Sequence, residues 1–364
     1  MIIGALHEKN NAEKRILLSL ETVKKLSKEN LTILIVKRYG LNSNISDQEL
    51  IDSGATIETE ENILKKSDVV LKISLEEDEI ELLKNGTNIV LNNFDKKNLE
   101  ILKKLKGKNI NIFSLDFLPR ITRAQSMDIL SSQANLAGYR SVIDSSYEFN
   151  KAVPMMMTAA GTVTPAKFFI IGAGVAGLQA IATAKRLGGV VSATDVRLAS
   201  KEQVESLGGK FVFVEDMENL ETAGGDTKEA SEDFKKKQEE LLKETVKKQD
   251  IIICTALIPG KKAPRIITEE MVLSMKPGSI ICDLAAAQGG NSAFSEPDKI
   301  VEKNGIKIIG YTNFASRISE TASNLLAKNI YNFIDLIYDK ENKTIKIDKE
   351  DEIIKGVLMN GDSQ

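Results

Sequence analysis

One histidine, His7, and two cysteines, Cys254 and Cys282, are all that 364 residues contain of the side chains that most often bind metals or relay protons. Neither cysteine has a CxxC partner, and each lies in an apolar run, "DIIICTAL" and "SIICDLAA". That context argues against a disulfide framework or a zinc site and predicts two buried, reduced thiols. A basic surplus is also lacking, since 49 Lys and Arg stand against 52 Asp and Glu, for a formal net charge of −3. A general nucleic-acid surface normally shows a basic patch or stripe, so that class is disfavoured. No apolar run approaches the ~18–20 residues needed to span a bilayer. The opening "MIIGAL" reads as a strand, not as a leader with a basic region and an apolar core. The chain is therefore expected to be soluble and cytoplasmic. No internal repeat is visible.

What is present is an alternation of short β-branched runs with amphipathic stretches, the α/β pattern of parallel sheets. The first third offers "MIIGAL", "LTILIVK", "VVLKIS", "TNIVLN" and "NINIFS" as strands. Helices are predicted in "EKRILLSLETVKKLSKEN" and "NLEILKKLKGK". A second series follows in "KFFIIG", "GVVSATD", "GKFVFVE", "DIIICTA", "GSIICDLA" and "GIKIIGYT". Between the series lies a helix around "SSQANLAGYRSVIDSSYEF", and "SETASNLLAKNIYNFIDLIYD" predicts a helix that returns to the first domain. The expected fold is α/β, with two doubly wound, Rossmann-like parallel-sheet domains separated by a cleft. One domain takes residues 1–130 plus 318–364, the other 131–317. The charged segment 217–249 reads as a solvated surface helix supported by Glu and Lys at i,i+4 spacing. Its beginning, 217–228, with Gly224 and Gly225, also suits a mobile flap over a ligand.

The stretch "KFFIIGAGVAGLQAIATAKRLGGVVSATD" carries the most chemistry. A strand runs into Gly172, Gly174 and Gly177, then come a small-residue helix, a second strand and Asp195. In a βαβ dinucleotide site, Gly172 permits the tight turn and Gly174 lets the backbone approach a pyrophosphate. Gly177 allows close helix–sheet packing, so that the helix N-terminus faces the phosphates. Asp195, 23 residues after Gly172, stands near the expected offset for the acid that accepts from the adenosine ribose. A carboxylate there repels a 2′-phosphate and favours NAD(H), a preference that Arg197 can soften. Val175, Ala176, Val196, Thr255 and Ala256 complete the expected cofactor-binding set.

Dehydrogenases that oxidise an alcohol or amine release a proton and usually position a base for it. Here His7 reads as a strand-end residue. Lys72 reads either as an ordinary strand-end lysine or as a base pointing into the cleft. Hydride exchange between two nicotinamides needs neither, because no proton moves and alignment supplies much of the rate. The polar stretch "PRITRAQSMDILSSQANLAGYR" suits such alignment. It offers a guanidinium for a phosphate or carboxamide, an amide for a ribose and a carboxylate to lock the arginine. It reads equally as a salt-bridged interdomain linker.

That stretch, with "AAGTVTPAKFFIIGAGVAGLQAIATAKRLG", "CTALIPGKKAP" and "MKPGSIICDLAAAQGGN", resembles the proton-translocating NAD(P) transhydrogenases, specifically the NAD(H)-binding component of their alpha subunit. The likeness covers nearly the whole chain. It implies an oxidoreductase in which NADH on the second domain passes hydride to NADP⁺ held by a separate component. A membrane-spanning component would couple the exchange to proton movement. This subunit would be a homodimer, associated peripherally with the membrane complex. Carried over by motif, Arg120, Gln125 and Asp128 are the catalytic residues, followed by Ser131 and Ser132, which bind the cofactor. Gln125 would reach the ribose of the partner's NADP(H), and Arg120 and Asp128 would hold the nicotinamide end of NAD(H). No metal is implied. The family's mobile loop commonly has a tyrosine after its glycines, where this chain has Asp226 and Thr227. The chain ends at Gln364 without membrane spans, as either a split subunit or a soluble fragment would. Alanine dehydrogenase shares the two-domain plan, and Arg15 and Lys72 stand where that family could hold a keto acid. "LNNFDKKN" lacks its active-site histidine, which leaves an NAD-dependent amino-acid dehydrogenase as the alternative, and an NAD-sensing module as a third reading.

Overall fold

The computed structural model describes residues 1–92, 101, 109–214, 232–257 and 262–359. The helix expected in "NLEILKKLKGK" lies almost wholly outside these residues, as does the flap expected at 217–228. The chain divides into two compact units, Met1–Gln133 with Ser316–Gln364, and Ala134–Ala315. The division falls within the helix Ile129–Glu148.

The first unit is built on a six-stranded parallel sheet. Its strands are β1 (Ile2–Ala5), β2 (Thr32–Ile35), β3 (Ala55–Ile57), β4 (Val69–Lys72), β5 (Asn88–Leu91) and β6 (Asn111–Ser114). The order β3-β2-β1-β4-β5-β6 reverses direction between β1 and β4. Strands covered on both faces read as continuous apolar runs, and β4 and β5 are buried at every position. The helix expected from Glu13 onward begins only at Leu20. Ser19 caps it, accepting from Thr22 N while the Thr22 hydroxyl accepts from Ser19 N. The preceding Ile16, Leu17 and Leu18 enter the core without a helix. The helix Ser319–Ile337 contributes Leu326, Ile330, Phe333 and Ile337 to the same core, with the Phe333 ring 5.4 Å from that of Phe113.

In the second unit a short antiparallel hairpin, β7 (Met156–Thr158) and β8 (Gly161–Val163), precedes the main sheet. That sheet contains β9 (Lys167–Ile171), β10 (Val190–Thr194), β11 (Lys210–Phe211), β12 (Ile251–Cys254), β13 (Ile280–Asp283), β14 (Ile300–Lys303) and β15 (Ile306–Ile309). Its order is β11-β10-β9-β12-β13-β15-β14, parallel except for β14. The reversal falls between β9 and β12, so the loops after these two strands flank the crevice where doubly wound sheets bind ligands. Cys254 and Cys282 are buried free thiols in separate apolar clusters, Cys254 with Phe169 and Cys282 with Phe168. Since Phe168 and Phe169 are consecutive on β9, the two thiols face opposite sides of the sheet. Burial, with Asp283 nearby, pushes the Cys254 thiol well above its ordinary range. In the charged segment, Glu232–Val246 is a helix that buries Leu242 and Val246. Among the described residues no helix is long and apolar enough to cross a membrane.

Candidate functional site: a glycine turn and a braced polar turn

Strand β9 ends in Gly172, whose φ of +96° bends the chain in a region that L side chains rarely adopt. Gly172 N donates to Thr194 O at 2.9 Å, which ties the turn to β10. A Cβ at Gly172 would lie 2.5 Å from Thr255 Oγ1, and one at Gly177 only 1.8 Å from Gly172 O. These contacts pull together the turn, the loop after β12 and the helix Val175–Arg186. At Gly174, the residue before that helix, a Cβ would meet nothing within 4 Å. The backbone N–H groups of Val175, Ala176 and Gly177 come next at the helix N-terminus, where no intrahelical acceptor exists for them. An open approach to unpaired N–H groups at the positive end of a helix dipole fits a phosphate.

Asp195 follows β10 and is 9% exposed. Its Oδ2 accepts from Ala173 N at 2.7 Å, and its Oδ1 from Arg197 N at 2.8 Å. The Arg197 side chain closes on both oxygens, Nε at 3.0 Å from Oδ1 and an Nη at 3.1 Å from Oδ2. The carboxylate thus has four donors, the number it can accept well. Asp195 lines a small cavity with Thr194, Val212, Phe213 and Leu242. Val196 is exposed beside it.

Thr255 Oγ1 lies 3.1 Å from both Ile171 O and Gly172 O, one hydroxyl shared by the two carbonyls of the turn. Ala256 N donates to Asn291 Oδ1, and Asn291 Nδ2 donates to Ala256 O and Pro264 O at 2.8 and 2.9 Å. Asn291, fully buried, therefore clamps the loop after β12, a role that sequence reading missed. The motif "AAAQGGN" held the signal. Gly289 and Gly290 both have positive φ, the mark of a tight turn that sets the position of the next residue.

The polar stretch belongs to the first unit. Thr122–Met127 forms a 3₁₀ turn with Gln125 exposed on it, and Arg120, also exposed, stands two residues before it. Neither side chain has a hydrogen bond or ion pair among the described residues. The expectation that the aspartate locks the arginine needs correction. Asp128 instead caps the helix Ile129–Glu148, accepting from Ser131 N at 2.9 Å and Ser131 Oγ at 2.5 Å. A carboxylate one residue before a helix is drawn to these unpaired donors. The arginine that is locked is Arg123, whose two Nη atoms donate to Asp351 at 2.7 and 2.8 Å. That guanidinium holds the Asp351 carboxyl below the usual range. Ser132 Oγ donates to Asn329 Oδ1 at 2.8 Å.

The cations considered for a keto acid are engaged elsewhere. Arg15 donates to both oxygens of Glu13, at 2.8 and 2.6 Å, and to Gln133. Lys72 is not an exposed strand-end lysine but fully buried, donating to Glu79 Oε1 and His7 O, each at 2.8 Å. The ring Nε2 of His7 lies 3.1 Å from Lys37 O. Among the described residues no group of three acidic, histidine or cysteine side chains is placed to hold a metal.

A doubly wound sheet whose first crevice turn is shaped in this way defines a dinucleotide-type α/β protein. Residues 4–137 match the N-terminal domain, and 141–364 the C-terminal domain, of the alanine dehydrogenase/PNT family, and the chain belongs to that family. It is 51% identical over 371 residues to the first part of the NAD(P) transhydrogenase subunit alpha of Rhodospirillum rubrum, covering 100% of this chain and 97% of that protein. The solved structure of transhydrogenase from Sinorhizobium meliloti matches with a TM-score of 0.89 and 44% identity, covering 99% of this chain and 98% of the other. The alanine dehydrogenase of Methanococcus maripaludis is more distant, 26% identical over 374 residues, covering 99% of this chain and 94% of that protein.

Proposed function

We propose that the chain is the NAD(H)-binding subunit of a proton-translocating NAD(P) transhydrogenase. The observation that carries this reading is full-length identity of 51% to a transhydrogenase alpha-subunit protein, joined to a glycine turn open to a phosphate at Gly174. The N–H groups of Val175, Ala176 and Gly177 receive the pyrophosphate, and Thr255 and Ala256 border it. Asp195 receives the adenosine ribose once the Arg197 side chain swings off its oxygens. The Asp195 carboxylate at the ribose repels a 2′-phosphate, which supports NAD(H) over NADP(H). Arg120, Gln125 and Asp128, with Ser131 and Ser132, serve the nicotinamide end.

Bound NADH supplies a hydride that passes directly to NADP⁺ on a partner component, and no proton is exchanged with either coenzyme. The protein then needs alignment rather than a base. The side chains that could have served as bases are occupied: His7 against Lys37 O, and Lys72 on Glu79. With Arg15 closed on Glu13, neither Arg15 nor Lys72 is offered to a keto acid, which weighs against an amino-acid dehydrogenase. The partners are an NADP(H)-binding component and a membrane-spanning component that couples exchange to proton translocation, with this subunit cytoplasmic and peripheral. The exposed methionines of the β7–β8 hairpin, Met155, Met156 and Met157, support a homodimer.

The test uses two mixtures. With pyruvate and ammonium, NADH absorbance should persist. With NADP⁺ and the NADP(H)-binding component of a bacterial transhydrogenase, NADPH should form, read through a coupled NADPH-specific reductase because NADH and NADPH absorb alike. Consumption in the first mixture alone would identify an amino-acid dehydrogenase instead.

A further inference from the structure

The carbonyl oxygen of Ser126, one residue beyond Gln125, receives two side-chain amides. Asn329 Nδ2 donates to it at 2.8 Å and Asn332 Nδ2 at 2.9 Å. Both come from the helix Ser319–Ile337, three residues apart and hence on one face. Asn329 is 8% exposed, and its own oxygen accepts from Ser132 Oγ. It therefore bridges the Ser126–Met127 peptide to the helix that Asp128 caps. At the other end of the turn, the paired bonds of Arg123 to Asp351 fix Thr122–Met127 from a third element.

Folding alone does not call for this arrangement. Ser126 is an exposed residue, and of the two amide bonds to its carbonyl the one from Asn332 lies at the surface. Asparagine is a poor helix former, yet Asn329 and Asn332, like Asn324, stand in the interior of this helix. Two amides converging on one carbonyl fix the plane of the Ser126–Met127 peptide, one residue beyond the Cα from which Gln125 projects. We propose that Asn329 and Asn332 are positioning residues for hydride transfer, holding the Ser126 peptide so that the Gln125 side chain is presented in one direction. The proposal rests on the reading of the Arg120–Asp128 turn given above.

The test compares Asn332→Ala, Asn329→Ala and Asn332→Gln with Gln125→Asn as a reference. All are made in the full chain and assayed with the NADP(H)-binding component. For Asn332→Ala, exchange at saturating coenzymes should fall about tenfold while the NADH dissociation constant stays within about twofold, since misalignment costs rate rather than binding. Backbone hydrogen exchange in a peptide spanning residues 122–128 should accelerate, with the rest of the chain unchanged. Asn332→Gln, which keeps an amide donor on a longer arm, should recover most of the rate. Asn329→Ala should act like Asn332→Ala, and if it fails to fold, the Asn332 pair decides. An unchanged rate in Asn332→Ala overturns the proposal, whether or not hydrogen exchange rises. If Gln125→Asn itself exchanges hydride at the unmodified rate, the reading of the turn fails, and the positioning role fails with it. Slow Gln125→Asn beside normal Asn332→Ala sinks the positioning role alone.

Discussion

A methyl group added at Gly177 would lie 1.8 Å from the carbonyl oxygen of Gly172, whereas one added at Gly174 meets nothing within 4 Å. The first obstruction is backbone, which no rotamer can move aside, so Gly177→Ala must shift the helix or the turn. Its stability should fall by about 1–3 kcal/mol, the usual cost of overpacking. Gly174 has an extended backbone that alanine adopts freely, so Gly174→Ala should melt within about 0.5 kcal/mol of the unmodified protein. If the pyrophosphate approaches there, the same methyl should weaken NADH binding at least about tenfold, because it occupies the space the phosphate needs. Urea unfolding and a fluorescence titration with NADH separate the two effects. A Gly174→Ala protein that binds NADH normally would move the phosphate elsewhere. Lys72 shows the same contrast between residue type and surroundings. A lysine at a strand end suggests chemistry, but full burial against Glu79 makes it a structural ion pair whose removal would strand a charge.

At the scale of elements, Asp128 belongs first to the helix it begins. Asp128→Ala should cost about 1 kcal/mol by removing the cap on Ser131 N, and Asp128→Asn less than half of that, since an amide oxygen still accepts. Thermal melts of the two variants check the order, and equal losses would show that the cap contributes nothing. The elements most legible in the sequence were those whose pattern is local. Buried parallel strands such as "VVLK" and "DIIIC" are continuous apolar runs, and the three glycines with Asp195 sit at fixed offsets along one βαβ unit. The strand Ala55–Ile57 and the antiparallel edge strand Ile300–Lys303 escaped notice because they are short and partly exposed. The hairpin Met156–Val163 escaped because its two strands have three residues each and are exposed at nearly every position. The helix predicted from Glu13 starts at Leu20 because the Ser19–Thr22 capping box outweighs apolar periodicity. In the candidate site, what could not be read is long-range. Arg123 and Asp351 are 228 positions apart, and Ser126 and Asn329 are 203 apart. Asp195 was legible as an acid, but the four donors already on it were not.

At the scale of the whole molecule, the two sheets share the order of their first five strands, 3-2-1-4-5 in each unit's own count, yet among the described residues the glycine turn that suits a dinucleotide follows β9. In the first unit, the loop after β1 presents Glu8 where the second has glycines. The Glu8 carboxylate accepts from Ile73 N at 2.7 Å and Ser74 N at 3.1 Å, the N–H groups that follow β4. It takes up donors that would otherwise be available to an anion, and its charge repels one. Burial raises the Glu8 pKa despite Lys72 nearby. The same order of the first five strands thus carries a carboxylate at the crevice turn in one unit and an open glycine turn in the other. One exposed apolar feature of the second unit is the β7–β8 hairpin with Met155 just before it. Two paired strands are marginally stable alone in water, and this pair leaves Met155 61% and Met157 82% exposed. Three consecutive exposed methionines on such a hairpin suit a surface covered by a second copy of the chain. Met157→Glu should then shift the protein from dimer towards monomer in sedimentation velocity at micromolar concentration, because burying a carboxylate without a partner is costly. NADH binding should persist, since Met157 is not among the residues proposed to hold the coenzyme. A Met157→Glu protein that sediments as the same dimer would place the interface away from the hairpin, and an unmodified protein that sediments as a monomer would remove the homodimer altogether.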